Sequence, residues 1–169
     1  MSKTLLLTSF QPWMPHQRSN SSDDLLLEIV HRDPPSHWHF LRQLPVDFDL
    51  APQKAIAHVT QLQPDVVICC GMAESRSLLS VESRAITESE ILHTTLDLQI
   101  LTAELNHTEI SDDAGQFVCN ALYYVMLKQL RSHQPQSHCL FVHVPVLTAA
   151  NQRAITADFH TLLHRVATV

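Results

Sequence analysis

Two apolar runs constrain this chain more than anything else in it. They are Val66-Val67-Ile68-Cys69-Cys70, closed by Gly71, and Cys139-Leu140-Phe141-Val142-His143-Val144, closed by Pro145. Neither alternates apolar with polar residues, so each reads as a strand that hides both faces. Such strands belong to parallel sheets covered by helices on both sides. The short apolar run Lys3–Thr8 suits the same sheet, and Trp38 to Leu44, ended by Pro45, reads as a further strand.

Helical patterns separate these strands. One helix is expected with Ser22 as its cap, Asp23 and Asp24 in its first turn, and Leu25, Leu26, Ile29 and Val30 facing inward, until Pro34-Pro35 stops it. Pro52 suits the first turn of a second helix with the stripe Ala55, Ile56, Val59 and Leu62. Val118, Ala121, Leu122, Val125, Met126 and Leu130 mark a third helix, of about three turns by spacing. A last helix, from about Ala149, turns Ile155, Phe159, Leu162, Leu163 and Val166 inward. Strands alternating with helices predict an α/β fold: three layers, a doubly wound, mostly parallel sheet with helices on both faces. No linker or repeat divides residues 1–169, so one domain is expected. Between 72 and 110 the pattern blurs, with Ile91–Thr95, Leu98–Leu101 and Thr108–Ile110 read as short strands of unassigned order.

Composition excludes several classes of function. Eleven Lys+Arg against seventeen Asp+Glu give a net charge of −6 with no basic stripe, so no nucleic-acid partner is expected. The apolar start soon meets Pro12 and Pro15, too early for a signal peptide or a membrane span, which predicts a cytoplasmic protein without a membrane partner. The cysteines at 69, 70, 119 and 139 form no CxxC pair and read as reduced thiols rather than disulfides or a zinc site. Of the twelve histidines, His37 with His39 and His160 with His164 can share a face, but neither pair has a third ligand at a recognised spacing. Two glycines are too few for a dinucleotide or phosphate-loop fingerprint. No metal and no cofactor are expected.

In an open α/β sheet, ligands bind beyond the carboxyl ends of the strands. Cys119 stands there, in Asp113-Ala114-Gly115-Gln116-Phe117-Val118-Cys119-Asn120, where a glycine-bearing loop turns into a helix. The positive end of the helix dipole favours a thiolate at such a place. His143 lies late in an apolar strand, and Glu82 follows the strand Val66–Cys70. The topology therefore allows a nucleophile, an imidazole and a carboxylate to meet at one edge. Taken singly, each also has an ordinary explanation: a packed thiol, a hydrogen-bonded rim histidine, a solvated loop charge.

Four blocks, in order, resemble the pyroglutamyl peptidase I family of cysteine peptidases. They are Leu6-Leu7-Thr8-Ser9-Phe10-Gln11-Pro12-Trp13; Gln63 through Gly71 and Arg76 to Val81-Glu82-Ser83-Arg84-Ala85-Ile86; Ala114-Gly115-Gln116-Phe117-Val118-Cys119-Asn120; and Phe141-Val142-His143-Val144-Pro145. The last two are the most specific. The resemblance implies a catalytic triad of Glu82, Cys119 and His143, acting without a cofactor on a pyroglutamyl peptide or other small amide. It also implies a lactam pocket walled by Phe10 and Trp13, lined beside the nucleophile by Phe117 and Val118, with Asn20 anchoring the loop or the lactam.

The chain departs from the family in three places. Met72 stands where the family has Gln, replacing an amide by a thioether. The stretch from Thr87 to Asp112 is trimmed and lacks an arginine that can assist the oxyanion, and Arg84 is not its aligned replacement. Met14 and Pro15 replace glycines after Trp13. These departures leave two alternatives beside the peptidase: a protein holding a small ligand without turnover, and an acyl-transfer hydrolase of another small amide. A homo-oligomer is compatible with the sequence.

Overall fold

The computed structural model describes residues 3–169. In chain order its elements are β1 (Leu5–Phe10), α1 (Ser21–Val30), β2 (Trp38–Leu44), α2 (Leu50–Leu62), β3 (Val66–Met72), β4 (Leu79–Glu82), β5 (Arg84–Ile86), β6 (Ile91–His93), α3 (Leu98–Thr102), β7 (Thr108–Ser111), α4 (Val118–His133), β8 (His138–Val144) and α5 (Gln152–Val166). Six strands form one sheet in the order β2-β1-β3-β8-β4-β7. The doubly apolar runs occupy its centre, where β1, β3 and β8 lie parallel; Leu5 pairs with Val66, and Val66 with His138. Beyond β8 the direction changes: β4 joins antiparallel, and β7 runs parallel to β4 at the edge. The sheet is thus mostly parallel, and β5 and β6 form a separate antiparallel hairpin.

Alternation along each central strand divides the core into two halves. Leu5, Leu7, Val66, Ile68, Cys70, Leu140 and Val142 face a cluster that includes Leu25, Leu26 and Ile29 of α1 and Ile155, Phe159 and Leu162 of α5. Leu6, Val67, Cys69, Cys139 and Phe141 face the other way, against Ala55 and Val59 of α2 and Leu122, Tyr123 and Met126 of α4. Full burial of each large apolar side chain contributes about 1.5–3 kcal/mol, which is why these strands carry almost no polar residue. The few polar residues buried near their ends therefore stand out.

Several local expectations are corrected. The cap of α1 is Asn20, not Ser22: its side-chain oxygen accepts the Ser22 N–H at 3.0 Å. Val30 faces solvent, since the helix turns it away from the sheet. Pro52 does lie in the first turn of α2, which begins at Leu50, where the Asp47 carboxylate accepts the N–H groups of Asp49 and Leu50 at 2.9 and 2.8 Å. Its Ile56 and Leu62 are only half-buried. Helix α4 is 16 residues long, and Tyr123 and Leu127 join its inward stripe while Ala121 and Val125 stay half-buried at the margin.

Leu98–Leu101 is helix rather than strand. The Asp97 side chain accepts the Ile100 N–H at 3.2 Å and caps the turn, and Leu98 and Leu101, three apart, both point inward. Of Ile91–Thr95 only Ile91–His93 is strand.

Candidate active site

The carboxyl ends of β1, β2, β3 and β8 open into a cavity of about 640 Å³. Four connecting loops wall it: residues 11–20 after β1, Val46 and Phe48 after β2, residues 73–76 after β3, and residues 113–117 before α4. Cys119 and His143 both line it.

The place of Cys119 follows from a glycine. On β3, Gly71 pairs across the sheet with His143 of β8. A Cβ on Gly71 would lie 2.7 Å from Cys119 Sγ and 3.2 Å from Phe141 Cε2, so only the missing side chain lets the first turn of α4 settle over this strand pair. The thiol is thereby set above the strand register that carries the imidazole. No hydrogen bond joins Cys119 to His143 among the described residues. The first intrahelical bond of α4 runs from Ala121 N–H to Phe117 C=O, which leaves the Cys119 N–H free of a helical partner.

The charge state of that thiol differs from the sequence expectation. Burial pushes Cys119 from 9.0 up to about 12; its own backbone N–H lowers it by less, and Cys69 raises it further. A helix terminus is worth about 0.3–2 kcal/mol, whereas each pKa unit corresponds to about 1.4 kcal/mol. Burial is thus the larger of the two opposing influences on this thiol.

Glu82 is not a solvated loop charge. It ends β4, is fully buried, and its Oε1 accepts a hydrogen bond from His143 Nδ1 at 2.7 Å. The antiparallel run of β4 explains this. Ser80 lies opposite His143 and Glu82 opposite Phe141, so Glu82 reaches its imidazole along the diagonal of one sheet face. Phe141 packs on the imidazole at 4.4 Å between centroids, and the Tyr123 hydroxyl donates to the Glu82 backbone carbonyl at 3.0 Å. Arg76 also reaches Glu82 Oε1, at 2.9 Å, and its other nitrogen donates to the Asp113 carbonyl at 2.6 Å.

Phe10, Trp13, Asn20, Met72, Phe117 and Val118 all line the same cavity. Trp13 and Phe117, both exposed, stand 6.1 Å apart at its mouth. The Asn20 side chain is committed to the loop: it accepts from Ser22 and donates to the Gln11 carbonyl at 3.3 Å. Met72 sulfur accepts the Ser21 N–H at 3.4 Å. The sequence reading missed Phe48, Tyr123 and the Arg76 bridge. It also missed the clasp across the mouth, where His16 Nε2 meets Glu74 Oε1 at 2.9 Å. Arg76 and Glu74 fall in a stretch without periodicity, and only the reversal of β4 brings Arg76 onto Glu82.

Among the described residues, no group of three His, Cys, Asp or Glu side chains could hold a metal ion; His160 and His164 meet at 3.3 Å, and His164 also packs against Trp38. All four cysteines are free. Among the described residues, no helix is long and apolar enough to cross a membrane.

The fold has counterparts among pyroglutamyl peptidases. Residues 88–159 match the family model for pyroglutamyl peptidase. The pyrrolidone-carboxylate peptidase of Clavibacter michiganensis subsp. michiganensis is 29% identical over 92% of this chain and 83% of its own length. The enzyme of that name from Brevibacillus brevis is 26% identical over the same shares. The structure superposes on pyroglutamyl peptidase I from Bacillus amyloliquefaciens with a TM-score of 0.86, 21% identity, and coverage of 100% of this chain and 97% of the other. For pyrrolidone carboxyl peptidase from Thermococcus litoralis the TM-score is 0.82, with 20% identity and coverage of 98% and 93%. The chain is similar in sequence to pyroglutamyl peptidases and shares their fold.

Proposed function

We propose that this protein is a cysteine exopeptidase that removes an N-terminal pyroglutamyl group. The observation that carries this reading is the buried Glu82–His143 hydrogen bond of 2.7 Å beside the cavity that holds Cys119, in a chain related to the pyroglutamyl peptidases.

The lactam ring enters the apolar part of the cavity, between Phe10, Trp13 and Met72, with the exocyclic carbonyl carbon that joins it to the next residue over Cys119. His143 Nε2 takes the thiol proton as the sulfur attacks. A C–S bond forms and the carbonyl π pair moves to oxygen, next to the free Cys119 N–H. Burial opposes the thiolate, so this proton moves with substrate in place rather than beforehand. Glu82 holds the Nδ1–H tautomer, aims Nε2 at the sulfur and stabilises the imidazolium. When the oxyanion collapses, the C–N bond breaks and the imidazolium protonates the leaving amine. Water then attacks the thioester carbon, giving a proton to His143; the C–S bond breaks, pyroglutamic acid leaves, and the imidazolium returns its proton to the sulfur. Reduced cysteines suit a cytoplasmic setting.

A second reading, ligand holding without turnover, draws on the burial that opposes a Cys119 thiolate and on the thioether at 72. One assay separates the two: release of a fluorogenic amine from a pyroglutamyl amide by the wild type, Cys119→Ala and His143→Ala. Turnover lost in both variants supports the peptidase. Saturable binding of the amide by the wild type, with no amine released, supports the second reading.

A further inference from the structure

Two groups meet the Glu82 carboxylate at one oxygen. Oε1 accepts a hydrogen bond from His143 Nδ1 at 2.7 Å and forms an ion pair with Arg76 Nη1 at 2.9 Å, while Oε2 is buried with no hydrogen-bond partner among the described residues. Among the described residues no hydrogen bond to Oε2 holds the carboxylate plane, so its rotation is set by the two groups on Oε1. Of these, only Arg76 is always a cation; the imidazole is one only after it has taken a proton. A carboxylate with a fully buried side chain needs such a partner, because burying an unpaired charge is strongly unfavourable. The same guanidinium donates to the Asp113 carbonyl at 2.6 Å, four residues before Phe117, the N-cap of α4. Asp113 in turn accepts the Gly115 N–H on its side chain at 3.0 Å and shapes the loop that delivers Cys119.

We propose that Arg76 is a positioning residue that ties the orientation of the Glu82–His143 pair to the loop presenting Cys119. It acts through Oε1 of Glu82 and the carbonyl of Asp113, and it bonds neither the thiol nor the imidazole. This rests on the triad reading of Glu82, Cys119 and His143. A planar fork spans the two acceptors at once, and a lysine ammonium on a flexible stem cannot do so with the same geometry. The bridge also links the segment after β3 to the loop after β7, whose strands lie on opposite sides of β8.

The test uses the intact protein with Arg76→Ala and Arg76→Lys. A hydrogen bond from imidazole Nδ1 to a carboxylate gives a downfield proton resonance, identified here by its loss in Glu82→Gln. That resonance reports the pair whether or not the substrate has been correctly named. Arg76→Ala is expected to broaden or abolish it and to lower kcat on a pyroglutamyl amide by roughly 10- to 100-fold with KM little changed, the size of loss that misplacement of a reacting group produces. Added guanidinium ion is expected to restore part of both. Arg76→Lys, which keeps a cation near Glu82 if the alanine variant does not fold, is expected to fall between. An unchanged resonance in the alanine or the lysine variant overturns the proposal, as does a loss lying wholly in KM, which would make Arg76 a substrate contact. A wild type that shows the resonance but no turnover sinks the peptidase reading and leaves the Arg76 bridge to be judged on the resonance.

Discussion

Cys119 Sγ fills the space that a side chain on Gly71 would need. The 2.7 Å separation between that sulfur and the position of a Cβ makes the glycine a condition of the site, because the same residue is the cross-strand neighbour of His143. The thiol and the imidazole are therefore brought to one register by the absence of an atom.

Gly71→Ala is the most economical perturbation of this arrangement. The methyl group forces Cys119 or Phe141 aside, at a stability cost of about 1–3 kcal/mol for overpacking. Displacement of the sulfur lowers kcat/KM by roughly 100-fold. Thermal unfolding and steady-state kinetics check both numbers. Activity within twofold of wild type would mean that the sulfur has freedom to move.

The charge state of the nucleophile is open to direct measurement. With burial holding the thiol at about 12, iodoacetamide labelling of Cys119 in the free protein should keep rising with pH through the range where an ordinary thiol, near ~8.5, has levelled off. A plateau at or below that value would show a thiolate already formed in the resting protein.

A second buried acid ties α1 to β1 and β2. Asp23 accepts from Ser9 Oγ at 2.6 Å, from Arg42 through two bonds of 2.8 Å, and from Gln43 at 3.0 Å. Burial raises its pKa, but the bonds from Arg42, Ser9 and Gln43 outweigh it, and the carboxyl lies below its usual range. A lowered folded value means stability that is present above the unfolded carboxyl value of about 3.9 and lost as pH falls through the folded one. Asp23→Asn should cost about 1.5–3 kcal/mol at neutral pH, the range for hydrogen bonds to a charged group. The difference in Tm between variant and wild type should shrink below pH ~4. A difference independent of pH would contradict this account of the cluster.

Met72→Gln tests the pocket floor. The thioether accepts one backbone N–H and offers a substrate no donor, whereas a carboxamide can keep that bond and turn its NH2 toward a lactam carbonyl. One added hydrogen bond of about 0.5–1.5 kcal/mol predicts a KM for a pyroglutamyl amide roughly 2- to 10-fold lower. An unchanged or higher KM would place the lactam away from residue 72.

The central strands were readable because burial on both faces writes a continuous apolar run, as in Val66–Cys70 and Cys139–Val144. The region from 72 to 111 was not. Strand β4 has four residues, of which Ser80 and Glu82 are polar and fully buried, so its hydrophobicity resembles that of a loop. Its antiparallel entry has no signature in one sequence, yet it brings Glu82 to His143 and Arg76 to Glu82. Leu98–Leu101 misled because a short apolar run has no period of its own, although Asp97 ahead of it was a usable cap signal. At Cys119 the position at a helix start was legible, but the burial that sets its charge depends on β3, Phe141 and Cys69, which only tertiary packing assembles.

The most direct test of the account is to trap the covalent intermediate. The protein is mixed rapidly with a pyroglutamyl ester, quenched in acid and digested, and the peptide containing Cys119 is weighed. The account predicts one pyroglutamyl group on that peptide, removable by hydroxylamine and absent from His143→Ala. Ester turnover with no adduct on Cys119, or turnover that persists in Cys119→Ala, would contradict it.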